Sequence, residues 1–105
     1  MTIDGRVAAP LEVASSYRDR QRGLLGRESL EGAFWLKPCR HVHTFRMRFD
    51  LDIALVDKGG TVLVAQTLAP GRLSAVRLKC RSVIEAEAGS FARWGLEAGS
   101  VVGVG

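Results

Sequence analysis

Long apolar runs are missing from this chain, and none approaches the roughly 20 residues that a membrane-spanning helix requires. The chain has only two cysteines, Cys39 and Cys80, and their wide spacing fits neither a CxxC redox pair nor half of a zinc ribbon. We expect them to be buried free thiols, since a disulfide between them would require an environment outside the cytosol. Aromatic residues are few, at 7% of the chain, and form no ladder on which nucleic-acid bases could stack.

The N-terminal sequence carries an early acid, Asp4, and lacks the continuous apolar segment of a signal peptide. We therefore expect a cytoplasmic protein, or an exported one if a leader has been removed. A chain of 105 residues is about the size of one hydrophobic core, which predicts a single domain spanning 1–105. Its 47% hydrophobic and 25% charged residues are typical of an ordinary globular protein.

The charge is basic, with 15 Lys and Arg against 11 Asp and Glu, for a net charge of +4. Arginines supply most of the excess, and the acids Asp19, Glu28 and Glu31 interrupt the first arginine cluster. With no helix-turn-helix pattern and no paired Cys/His finger, a solvated basic face is favoured over a nucleic-acid surface. Such a balance can steer a small anionic ligand. We predict no nucleic-acid partner, no membrane span and no cofactor, and expect a monomer or weak dimer.

Hydrophobic periodicity predicts an α+β fold, mainly antiparallel β, with a barrel-like or strongly twisted sheet, one short helix and one helical turn. The hairpin is the best-defined element: an apolar strand from Leu51 to Val56, the turn Asp57–Gly60, and a return strand from Thr61 to Leu68. The other predicted elements are strands at Val7–Ala14, His43–Phe49, Ala75–Leu78, Ser82–Ala88 and Val101–Val104, a brief apolar segment at Ala33–Leu36, a helix from Tyr17 to about Leu25, and a helical turn at Phe91–Gly95.

Two acids, Asp52 and Glu85, are embedded in apolar sequence and are candidates for half-buried partners of arginine or for a functional carboxylate pair. An unpaired buried carboxylate is costly, and arginines are available, so a structural ion-pair network is favoured over catalysis. The predicted site for a small anionic ligand consists of Arg22, His43, Thr44, Arg48, Asp52 and Glu85. The arginines would donate to a carboxylate or phosphate, the acids would orient them, and His43 and Thr44 would add directional hydrogen bonds.

A metal site is a weaker hypothesis. Cys39, His41 and His43 alternate, so in an extended strand their side chains would lie on one face, and a His-x-His pair can chelate zinc. We interpret His41 as a surface residue and His43 as a hydrogen-bonded residue near the core. A metal-dependent hydrolase or lyase using His41 and His43 is one alternative function. A protein-interaction module that uses the edge strand Val7–Ala14 is another.

Three segments, Arg20–Arg27, Pro38–Val62 and Val83–Val102, together resemble a small prokaryotic family catalogued as a domain of unknown function, number 192. Its pieces are an RGLMGR-like loop, an HTFxMRFPID strand entry, a D-x-G hairpin turn, and an LELPAG motif with a glycine-rich ending. The matching residues here are Arg22–Arg27, His43–Phe49, Asp52, Gly60, Glu85, Gly89, Gly95, Leu96 and Gly99. The resemblance implies a compact β-rich fold and brings no established activity.

The chain departs from the family pattern at four positions: Leu25 replaces a common methionine, Asp50 and Glu87 replace prolines, and Ser100 replaces an aspartate. No nucleophile, base and orienting group form a set in the sequence. The leading hypothesis is therefore a non-catalytic binding or accessory domain.

Overall fold

The computed structural model describes residues 1–14, 32–44 and 47–104. The predicted helix from Tyr17 to about Leu25 lies outside these ranges. The described elements, in chain order, are β1 (Thr2–Ile3), β2 (Arg6–Val7), β3 (Leu11–Ala14), β4 (Ala33–Leu36), β5 (Leu51–Asp57), β6 (Val62–Leu68), β7 (Cys80–Glu87), α1 (Ser90–Trp94) and β8 (Val102–Gly103).

The described strands form two sheets. A five-stranded sheet has the order β3-β4-β7-β5-β6, and a three-stranded sheet has the order β2-β1-β8. All these pairings are antiparallel except that of β3 with β4, which is parallel. The predicted α+β, mainly antiparallel class is confirmed. Among the described strands there is no closed barrel, so the barrel-like form is not confirmed.

The predicted hairpin is confirmed as β5 and β6, which pair from Leu51 opposite Leu68 to Val56 opposite Val62. Its turn is stabilised by Asp57, whose Oδ1 accepts hydrogen bonds from the backbone N–H groups of Gly59 and Thr61, each at 2.9 Å. The amide of Val102 donates to the carbonyl of Gly60 at 2.8 Å, so the turn also contacts β8. The hairpin turn therefore joins the two sheets.

Side chains alternate along the central strands β5 and β7, and this alternation builds two hydrophobic clusters on opposite faces of the sheet. One face, called the helix face, carries Ala54, Val56, Ile84 and Ala86, which pack with Phe91 of α1. The other, called the loop face, carries a second cluster whose members include Leu51, Ile53, Leu55, Val83 and Met47. The core of the described chain thus lies on both sides of one sheet.

Two predicted strands are wrong. The segment from His43 to Phe49 forms no strand in its described part, where His43 makes a single bridge to Leu73. In this segment Thr44 and Met47 are buried, whereas His43 and Arg48 are exposed. The predicted strand Ala75–Leu78 is part of a loop. Hydrogen bonds between residues 42–44 and residues 72–74 satisfy backbone groups at these loops outside any sheet.

The chain ends match the sequence prediction more closely. The segment Val7–Ala14 divides at Pro10 into β2 and β3, and each is an edge strand of its described sheet. The helical turn is α1, which ends at Gly95 with a left-handed φ of 71°. No helix in the described ranges has the length and apolar character needed to cross a membrane.

Gly60 gives a direct test of the contact between the turn and β8. Its φ is +91°, and an added Cβ would lie 2.8 Å from the carbonyl oxygen of Val102. Gly71 also has a positive φ, +80°, but a Cβ there would meet nothing within 4 Å. We expect Gly71→Ala to lower the unfolding free energy by about 1–2 kcal/mol and Gly60→Ala by about 3 kcal/mol or more, measured by urea denaturation. Equal losses in the two variants would contradict this contact.

Candidate functional site

Asp52 lies on the helix face of β5 and is almost fully buried. Its Oδ2 accepts hydrogen bonds from the backbone N–H groups of Gly89 and Phe91, both at 3.0 Å, and its Oδ1 accepts one from the Thr67 hydroxyl at 2.6 Å. The first amides of α1 have no intrahelical partner, and Gly89 has no side chain to supply one. Asp52 therefore serves as a cap for α1 donated by a neighbouring strand.

Glu85 lies on the loop face of β7, opposite Phe34 of β4 and Ile53 of β5. It is buried, and both of its neighbours across the sheet are apolar. Burial raises the pKa of the Glu85 carboxyl group from its ordinary value of 4.5 to about 7. Glu85 is thus a carboxyl group held among apolar side chains.

Asp52 and Glu85 come close in the sheet but do not share a site. Asp52 is opposite Ala86 and Glu85 is opposite Ile53, so the two acids occupy adjacent rows on adjacent strands. Because neighbouring rows alternate between faces, one carboxyl group lies on the helix face and the other on the loop face. The structure does not bring these two acids together as a pair.

The structure does not gather the remaining described residues of the predicted ligand site around Asp52 or Glu85. Thr44 is buried, and its hydroxyl donates to the carbonyl of Ala69 at 2.7 Å and accepts from the amide of Arg72 at 2.8 Å. These bonds hold the loop after β6 against residues 42–44. His43 and Arg48 are exposed, and Arg22 lies outside the described residues.

Cys39, His41 and His43, the residues considered for a metal site, are close in sequence but do not form a metal-binding group in the described structure. The Cys39 thiol donates to the backbone carbonyl of His41 at 3.2 Å, and both His41 and His43 are exposed. Within residues 1–14, 32–44 and 47–104, no group of three or more His, Cys, Asp or Glu side chains could hold a metal ion. Cys39 and Cys80 are free thiols, and burial raises the pKa of Cys80.

A groove of about 890 Å³ opens where the ends of β4 and β7, the β5–β6 turn and β8 meet. Its lining includes the basic residues Lys37, Lys58 and Arg81. A smaller adjoining hollow of about 170 Å³ shares the turn and adds Lys79. We call this combined feature the basic groove. Four basic residues and one acid, Asp57, thus line the basic groove.

The polar groups of the basic groove other than its cations are already bonded within the protein. Asp57 accepts from the turn amides, and the Ser82 hydroxyl accepts a hydrogen bond from Trp35 Nε1 at 2.9 Å. Lys37 Nζ lies 3.9 Å from the centroid of the Trp35 ring, within the range of a cation–π contact. One guanidinium nitrogen of Arg81, Nη1, donates to the carbonyls of Leu78 and Cys80. The guanidinium has further N–H donors on Nη2 and Nε.

The sequence interpretation missed the residues of the basic groove. Lys58 was assigned only to the hairpin turn, while Lys37 follows a predicted apolar segment and Arg81 precedes a predicted strand. Each is a basic residue at a strand end. Their position at strand ends is the only sign of the groove in the sequence. The residues come together only because β4, β7 and β5 are adjacent in that order.

Comparisons with known proteins indicate what the chain is similar to. The model of the family DUF192, described as Uncharacterized ACR, matches residues 1–104. No curated protein matches the chain.

Two solved structures share the fold. One is a protein of unknown function from Novosphingobium aromaticivorans DSM 12444, with 21% identity and a TM-score of 0.75, covering 87% of this chain and 71% of that one. The other, from Sinorhizobium meliloti 1021, is described as a candidate transcription regulator; it has 20% identity and a TM-score of 0.75, covering 87% of this chain and 78% of that one. At these identities the likeness concerns the fold alone.

Replacing Asp52 tests its role as a cap. Asp52→Ala would leave two amides and the Thr67 hydroxyl without their acceptor, so we expect a loss of about 3 kcal/mol in unfolding free energy, measured by urea denaturation. Asp50→Ala, which changes an exposed acid two residues away, is the control and should cost less than about 0.5 kcal/mol. Equal stability of the two variants would show that α1 does not need this carboxylate.

Glu85 predicts a pH dependence of stability. Since its pKa in the folded state is about 7 and its ordinary value is 4.5, the folded state favours the protonated form. Its contribution is fully present below pH 4.5 and is lost as the pH rises through 7. We therefore expect the unfolding free energy of Glu85→Gln, taken relative to that of the wild type, to rise across this window. The difference should be about 3 kcal/mol larger at pH 8 than at pH 4.

The measurement is the unfolding free energy of both proteins from pH 4 to pH 8. The matched control is Glu87→Gln, because Glu87 is an exposed acid on the same strand. Its difference from the wild type should stay nearly constant with pH. A pH-independent difference for Glu85→Gln would contradict the raised pKa.

Proposed function

The chain belongs to the DUF192 family, and we propose that it is a non-catalytic domain that binds a small anionic ligand in the basic groove. The observation that carries this proposal is that Lys37, Lys58, Lys79 and Arg81 line one groove beside the β5–β6 turn. These residues come from three separate places in the chain: after β4, in the β5–β6 turn and at the start of β7. The fold therefore brings them to one groove.

Charge supports an anion as the ligand. Like charges held close together repel one another, and an anion bound among them removes that repulsion. Lys58 and Arg81 are exposed and lie beside the open turn. The guanidinium of Arg81 suits a carboxylate or phosphate because its planar donors match two oxygens.

Binding rather than catalysis is supported by the other polar groups of the groove. Asp57 and Ser82 already form hydrogen bonds with the turn amides and the Trp35 indole. Each side chain therefore already has a structural role, in the turn or against Trp35. General acid–base chemistry requires a group that reaches the substrate with its proton-accepting atom available.

The proposal keeps the class of function expected from the sequence and changes the residues assigned to it. Asp52 and Thr44 support the fold through their hydrogen bonds, and Glu85 lies on the opposite face of the sheet from the groove. Trp35 and Ser82, which line the groove, share the helix face with Ile84. The anion site thus belongs to the helix face.

Titration with pyrophosphate tests the proposal. Trp35 lies in the groove wall, so its fluorescence in a Trp94→Phe background should change saturably with pyrophosphate and much less with chloride at equal ionic strength. Lys58→Gln combined with Arg81→Gln should weaken binding about tenfold, because each exposed ion pair contributes up to about 1 kcal/mol.

The matched control is Arg72→Gln combined with Arg77→Gln, which removes the same charge from exposed arginines that do not line the groove. This control should bind as the wild type does. Equal weakening of binding in both double variants would mean that binding depends only on net charge. That result would overturn the assigned site.

A further inference from the structure

Residues 72–79 have an inverted burial pattern. Leu73, Val76 and Leu78 are 66%, 62% and 86% exposed, whereas Ser74, between them in the chain, is only 7% exposed. Single exposed apolar residues are common, but a short segment that buries its serine and exposes its large aliphatic side chains is not. Packing in the hydrophobic core therefore does not explain why these aliphatic side chains are exposed.

The segment is held in place by hydrogen bonds. The Arg72 amide donates to the Thr44 hydroxyl at 2.8 Å, and the Thr44 amide donates to the Arg72 carbonyl at 2.8 Å. Ser74 exchanges two bonds with the backbone of Val42, each at 2.9 Å, and the Ala75 amide donates to Gln66 Oε1 at 2.8 Å. The backbone is thus fixed while the aliphatic side chains extend into solvent.

The charge of the segment has one sign. Arg72, Arg77 and Lys79 are exposed, and the sequence contains no acid between Asp57 and Glu85. Basic side chains therefore flank every exposed aliphatic side chain of residues 72–79.

We propose that residues 72–79 dock the protein on an anionic lipid surface. Aliphatic side chains enter the boundary between headgroups and acyl chains, while adjacent lysines and arginines bind anionic headgroups. One bilayer surface satisfies both features at once. Nucleic acid would satisfy only the charge, because the segment has no aromatic ring for a base to stack on.

This docking does not rest on anion binding in the basic groove. The aliphatic side chains and the two arginines of the segment are absent from the groove lining, so each set can be changed without altering the other. Failure of one proposal is thus distinguishable from failure of the other.

Co-sedimentation with vesicles tests the docking. The full chain should bind phosphatidylcholine vesicles that contain phosphatidylserine, bind pure phosphatidylcholine far less, and be released by high salt. Changing Leu73, Val76 and Leu78 to Ser should lower the partition coefficient at least tenfold without changing the charge. Arg72→Gln combined with Arg77→Gln should abolish the preference for phosphatidylserine.

The matched control is Val7→Ser combined with Val101→Ser, which changes valines that are 79% and 49% exposed elsewhere on the surface. It should sediment as the wild type does. Leu78→Ser alone, at the most exposed of the three positions, serves if the triple variant folds poorly, and it should still weaken binding several-fold.

Three outcomes would overturn the docking. They are no sedimentation of the wild type with either vesicle, equal sedimentation with both, or binding to phosphatidylserine vesicles that the triple variant retains. The triple variant should also show the same urea unfolding midpoint as the wild type, and this result identifies it as folded.

Discussion

The antiparallel pairing of β5 with β7 is the constraint on which the rest of the structure depends. This pairing places Asp52 opposite Ala86 and Glu85 opposite Ile53, and side-chain alternation then sends the two acids to opposite faces. A shift of one residue in register would exchange the faces of a whole strand, moving leucines and isoleucine out of one cluster and a carboxylate into it. The two hydrophobic clusters therefore hold the register, and the register decides what each acid does.

Each face then acquires its own chemistry. On the helix face, Asp52 satisfies the amides at the start of α1, and the strand ends bring Lys37, Lys58 and Arg81 together around a groove. On the loop face, Glu85 remains among apolar side chains, and loops replace the strands that the sequence predicted. The proposed anion site therefore lies on the helix face, away from the buried carboxyl group.

Local features could be predicted from the sequence, and features made by distant contacts could not. The β5–β6 hairpin was predicted because its alternation and its Asp57–Gly60 turn are adjacent in the chain. The partners of Asp52 were missed because Phe91 is 39 residues away, and backbone amides leave no mark in a sequence pattern. Thr44 was assigned to the ligand site because only the structure shows the distant Arg72 backbone that its hydroxyl binds. The basic groove was missed for a related reason, since it depends on strand order.

The central claim is that the sheet separates the acids and that anion recognition lies on the helix face. Mapping of backbone amide chemical shifts by NMR during a pyrophosphate titration tests it most directly. The account predicts that the shifts concentrate at Lys37, Gly59, Gly60 and Arg81, which line the groove. Shifts centred instead on residues 43–48, with the groove unchanged, would contradict it.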